Sequence, residues 1–80
     1  MYLHDAQAAV ERIFNRNMMR PYGVDVQYAR GCRRTYIVTI NDLRGNEVKF
    51  TLPLAQLLDS DRVQAKLITA FVRLEKMGTL

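Results

Sequence analysis

Arg30, Arg33 and Arg34 fall within one short stretch, and Arg62, Lys66, Arg73 and Lys76 recur at helical spacing near the C-terminal end. Guanidinium forks and ammonium groups in such numbers suit phosphate or carboxylate ligands, whose binding they would make sensitive to salt. They do not by themselves break bonds. Nucleophilic catalysis needs an activated nucleophile, a base within hydrogen-bond reach and an orienting group, yet the chain holds a single Ser, a single Cys and a single His.

Each of those three has a plainer reading. Ser60 stands where a helix cap is expected, and His4 lies beside a helix start as a solvated side chain. Cys32 sits in an expected turn beside Arg30, Arg33 and Arg34; these cations would favour its thiolate and make it redox-sensitive, although a small filler residue explains it as well. Asp59 and Asp61 could offer oxygen ligands, but a calcium loop needs about six donors and no such spacing follows. Gly23, Gly31, Gly45 and Gly78 are isolated, so no glycine-rich phosphate loop exists. The eight acids are spread one or two per element, too thinly for paired-carboxylate chemistry. No metal or cofactor is expected, and the chain reads as a non-enzyme.

The frame that positions these residues is small. Eighty residues, 49% apolar and 25% charged with a net charge of +4, fit one domain spanning residues 1–80, neither disordered nor membrane-embedded in composition. A chain this short buries only about 60 to 65% of its unfolded surface, so self-association as a homodimer is an open alternative. A lone cysteine excludes an internal disulfide. With no signal-peptide pattern after Met1 and no run of about 18 apolar residues, the expected location is the cytoplasm, away from membranes.

Residues 5 to 19 carry a helical period, with Ala6, Ala9, Val10, Ile13, Phe14 and Met18 on one side and Asp5 as the expected N-cap. Arg20-Pro21-Tyr22-Gly23 should stop that helix. The period then changes to two: Val24, Val26 and Tyr28 face one way, and Tyr36, Val38 and Ile40 repeat the pattern after a break at Arg30 to Arg33. Asn41 to Asn46 reads as a turn with Gly45 at positive φ, leading to a third strand with Val48, Phe50 and Leu52 inward. Pro53 ends that strand. Leu54 to Leu58 reads as one helical turn, and Asp59 or Ser60 caps a final helix from about Asp61 to Met77, closed by Gly78. The expected fold class is therefore α+β, in the order α-β-β-β-α, with helices packed on one face of a three-stranded antiparallel meander.

On the final helix, Arg62, Lys66, Thr69, Arg73 and Lys76 fall within about an 80° arc. The apolar residues Val63, Leu67, Ile68, Ala70, Phe71, Val72 and Leu74 span about 200°, wider than the roughly 100° needed to cover one sheet. Either Ile68 and Val72 meet the first helix or the Leu54 to Leu58 turn, or they belong to a homodimer seam or a partner groove, with Met18 and Met19 beside them.

The order of elements resembles the double-stranded RNA-binding domain. That family carries a lysine cluster at the start of its last helix and a Gly-Pro-x-His-type first loop; here Asp59-Ser60-Asp61-Arg62 and Arg30-Gly31-Cys32-Arg33 stand in those places. The resemblance is one of topology, and that family's function does not carry over. From Tyr36 to Phe71, the succession of strand, Asp/Gly turn, strand, Pro53 and leucine-rich helix resembles the segment before the helicase core in some replication proteins of phages and mobile elements. It implies a mobile-element setting.

Two functions follow as expectations. The first is a binding module that contacts nucleic acid or a nucleoprotein complex through Arg20, Arg30, Arg33, Arg34, Arg62, Lys66, Arg73 and Lys76. No row of outward aromatics accompanies these cations, and the outward strand positions mix Asp25, Glu47, Lys49 and Arg33 with threonines; a solvated cationic surface is the plain alternative. The second is a protein-binding inhibitor or adaptor of phage type, which occludes a host enzyme through Ile68, Val72, Met18 and Met19.

Overall fold

The computed structural model describes residues 2–19 and 22–78, and of Cys32, Arg33 and Gly78 the backbone only. Its elements run α1 (Leu3–Arg16), β1 (Gly23–Ala29), β2 (Cys32–Asn41), β3 (Glu47–Pro53), α2 (Leu54–Leu57) and α3 (Ser60–Gly78). The strands form one antiparallel sheet in the order β1-β2-β3, so the expected α+β meander is the observed fold.

Period-two patterning decides which sheet face is covered. Val24 pairs with Ile40 and Ile40 with Val48; Val26 pairs with Val38 and Val38 with Phe50; Tyr28 pairs with Tyr36 and Tyr36 with Leu52. These apolar rows face the helices. The opposite rows, Asp25-Thr39-Lys49 and Gln27-Ile37-Thr51, form the other face. Across the covered face α1 lies against β1 and α3 against β3, and the two helices touch. Ala6, Val10, Ile13 and Phe14 of α1 are buried there with Val63, Leu67, Ala70 and Leu74 of α3. Each fully buried leucine or valine among them contributes about 1.5 to 3 kcal/mol of transfer free energy.

Two connections rest on glycine. Gly31 at φ 75° completes the turn between β1 and β2, and Gly45 at φ 90° closes the turn between β2 and β3, where an L side chain would be strained. In the second turn Asp42 Oδ1 accepts from the backbone N–H groups of Arg44 and Asn46, each at 2.9 Å, which pins the loop.

Helix boundaries differ from expectation in instructive ways. The N-cap of α1 is Tyr2, with no side-chain cap hydrogen bond, and Asp5 lies inside the first turn, where its charge still complements the helix dipole. The helix ends at Arg16, before the proline: Asn17 Nδ2 donates to the Ile13 carbonyl at 2.8 Å, and Met18 takes a left-handed φ of 54°. The break at Arg30 to Arg33 shrinks to Arg30-Gly31, because β2 already begins at Cys32. At α3 it is Asp59 that caps, its Oδ1 accepting from the Asp61 N–H at 3.1 Å and the Arg62 N–H at 3.4 Å, and Ser60 is the first helical residue. No helix among the described residues is long and apolar enough to cross a membrane.

Candidate binding surfaces

Because β3 leads straight into α2, α3 must begin at the end of the sheet where β3 finishes and the β1-β2 turn lies. It then runs back along β3. Lys66 reaches Thr51, and Arg73 borders Val48 and Phe50. Arg30, Arg34 and Arg62 thus share the starting end, while the α3 cations continue away from it. Seven residues separate Lys66 from Arg73, about 10 Å along the helix axis.

The cations differ in how they are held. Arg62 Nε lies 3.5 Å from Asp59 Oδ2, and Lys66 Nζ donates to the Thr51 carbonyl at 2.8 Å. An exposed ion pair like the first is worth only about 0.2 to 1 kcal/mol, so Arg62 is loosely committed. Arg30, Arg34, Arg73 and Lys76 are exposed. Arg20 and the Arg33 side chain lie outside the described residues.

Lys66 and Arg73 flank a groove of about 240 Å³ between α3 and the outer side of β3. Val48 and Phe50 supply its sheet side; Ala65, Thr69 and Ala70 supply the helix side. Small residues on α3 create this space, because no long side chain at 65, 69 or 70 reaches across to β3. Arg34 borders a second apolar depression with Leu54, Ala55 and Leu58 at the starting end of the domain. Both surfaces combine apolar walls with cations and, among the described residues, no carboxylate lines either.

The proposed apolar interface divides. Ile68 and Val72 are 41% and 44% exposed, so each keeps part of its surface open to solvent, and Met18 is 84% exposed. Met19 is a correction: at 3% exposed it belongs to the core and offers nothing to a partner. The left-handed turn at Met18 explains the pair, since it sends one methionine outward and folds the next beneath the helices.

The two sheet edges are unequally protected. Gln7 on α1 accepts from the Val26 N–H through Oε1 at 2.7 Å and donates through Nε2 to the Val24 carbonyl at 3.2 Å. Its amide therefore pairs with β1 much as another strand would. Backbone groups two residues apart point the same way, so the Thr51 carbonyl, turned toward Lys66, marks the Lys49 N–H and C=O as also facing outward from β3. Pro53 occupies the same outward register, where its missing N–H costs no ladder bond.

Other candidate chemistry stays sparse. His4 Nε2 lies 3.3 Å from Asp5 Oδ1, with the His4 side chain 83% exposed. Among the described residues no cluster of three or more His, Cys, Asp or Glu side chains could hold a metal ion. Burial, followed by a hydrogen bond to Glu75, pushes the Tyr22 phenol pKa up, and the Tyr22 ring packs 5.3 Å from that of Phe71. That contact ties the entrance of β1 to α3.

Comparison with protein-family models, with curated proteins and with solved structures finds no match.

Gln7 and the β3 groove were the features that sequence reasoning missed. Gln7 resembles any solvated helix residue until its partners, many positions away, are known. The groove had one legible sign: Ala65 and Thr69 interrupt the basic stripe with short side chains.

Proposed function

We propose that this chain is a non-catalytic protein-binding domain, an inhibitor or adaptor whose working surface is the groove between α3 and β3. One observation carries the reading: Lys66 and Arg73 flank an apolar groove beside a strand edge on which, among the described residues, a side chain holds a single backbone carbonyl, that of Thr51. Apolar walls favour side chains, and flanking cations favour partners with acidic groups and steer their approach. A phosphate backbone would use the cations and leave the apolar walls idle.

A second reading retains nucleic acid, favoured by the exposed Arg30 and Arg34 at the same end as Arg62. Its natural platform, the uncovered sheet face, presents Asp25, Gln27, Ile37, Thr39, Lys49 and Thr51, with no aromatic on which a base could stack.

Panning a display library of random peptides on the immobilised chain separates the two. We expect enrichment of peptides whose binding is lost in Thr69→Trp, which fills the groove while leaving every charge in place. Absence of any groove-dependent peptide, together with salt-sensitive binding of duplex or single-stranded oligonucleotide that Arg30→Glu/Arg34→Glu abolishes, would transfer the function to nucleic acid.

A further inference from the structure

We infer that the partner segment is an extended acidic peptide that adds to β3 as a fourth strand, an inference that rests on the groove being the protein-binding surface. Sheets leave their outermost strands with unpaired N–H and C=O groups, and natural domains commonly block them. Here the two edges are held differently: β3 carries Pro53 and the exposed Lys49–Glu47 pair on its outward positions, whereas β1 has two of its outward backbone groups hydrogen-bonded. The Gln7 amide occupies β1 through two hydrogen bonds, with the Val26 N–H and the Val24 carbonyl. On β3, among the described residues, the one side chain hydrogen-bonded to an outward backbone group is Lys66, whose ammonium on the Thr51 carbonyl is flexible enough for a peptide to displace.

Strand addition also uses what lies beside the edge. Alternate side chains of an added strand point to opposite faces, so every second residue would enter the groove against Phe50, Ala65 and Ala70. Short side chains at Ala65 and Ala70 leave α3 far enough from β3 to admit them. Lys66, released from Thr51, and Arg73 then meet carboxylates of the peptide, exchanging one charge-assisted hydrogen bond for another. Charge selects the occupant: cations flank the groove, no carboxylate among the described residues lines it, Glu47 on β3 is already met by Lys49 at 3.7 Å, and the chain carries +4 overall. A second copy of this chain would bring a like-charged surface to the same place, with Lys66 and Arg73 of both copies converging.

The test uses fluorescence anisotropy with a labelled peptide of alternating valine and glutamate, about a dozen residues long, and its counterpart with lysine in place of glutamate. The full chain should bind the glutamate peptide at least about tenfold more tightly than the lysine peptide. Arg73→Glu should weaken binding about tenfold. Lys49→Pro, which deletes an outward N–H without touching the pairing with β2, should abolish it; Thr69→Trp, placed on exposed helix surface, repeats the test should Lys49→Pro fail to fold. Equal binding of the two peptides, or unchanged binding by Thr69→Trp, overturns strand addition by an acidic segment. So does a dimer in sedimentation that Thr69→Trp dissociates, since the occupant would then be a second copy. If the glutamate peptide fails while library panning still yields groove-dependent peptides, strand addition falls and the protein-binding function stands. If panning also yields none, both fall.

Discussion

Met18 holds a left-handed φ of 54° with its side chain 84% exposed, so its backbone carries strain that its side chain does not repay through packing. Glycine relieves that strain, and Met18→Gly should stabilise the fold by about 1 kcal/mol in urea denaturation. At Gln56 the buried Oε1 has no hydrogen-bond partner among the described residues. Gln56→Met keeps the volume and removes the orphaned acceptor, which should raise stability by about 1 kcal/mol. Asp42 behaves oppositely: the hydrogen bond from the Asn46 side chain, assisted by backbone N–H groups of Arg44 and Asn46, lowers its pKa. A carboxylate held below its unfolded pKa adds stability that is present above the unfolded value and is lost as pH falls through the folded one. The thermal midpoint of the wild type should therefore drop on acidification below about pH 4, and that of Asp42→Ala should be lower at pH 7 and less dependent on pH through the same window. Turn residues such as Asp42 and Gly45 were legible in the sequence because their chemistry is local. Met18 was not, because an exposed methionine at a helix end resembles core until the turn geometry is known.

The strands were readable because period-two burial is a property of neighbouring residues, and all nine inward positions from Val24 to Leu52 follow it. What the pattern could not supply was the state of the edges, which depends on α1 and α3 returning from distant parts of the chain. Gln7→Ala tests that point. It removes two hydrogen bonds that protect β1, which should cost about 1 to 2 kcal/mol and speed amide exchange at Val26 more than at Val38 on the central strand. On α3 the basic arc was legible from helical spacing, whereas the capture of Lys66 by the Thr51 carbonyl was hidden, as it depends on how α3 crosses β3. The width of the apolar arc was also visible early. Ile68 and Val72 prove to be outward, and if the groove is the working surface, Ile68→Ser/Val72→Ser should leave peptide affinity within about twofold.

At the scale of the molecule, an uneven distribution of cover defines the candidate site. Among the described residues the three helices lie on one sheet face, and between α3 and β3 the packing leaves a groove where apolar walls, two cations and outward backbone groups coincide. The ordering of α-β-β-β-α elements was fixed by patterning and turn chemistry; this coincidence arises only when residues 48–51 and 65–73 are brought side by side. The account is tested most directly by following backbone amide NMR signals of the full chain as the valine-glutamate peptide is added. Saturable shifts should centre on Lys49, Thr51 and residues 65–73, with the Lys49 amide gaining protection from exchange. Shifts confined to Arg30, Arg34 and the neighbouring turn, or no saturable shift at all, would contradict it.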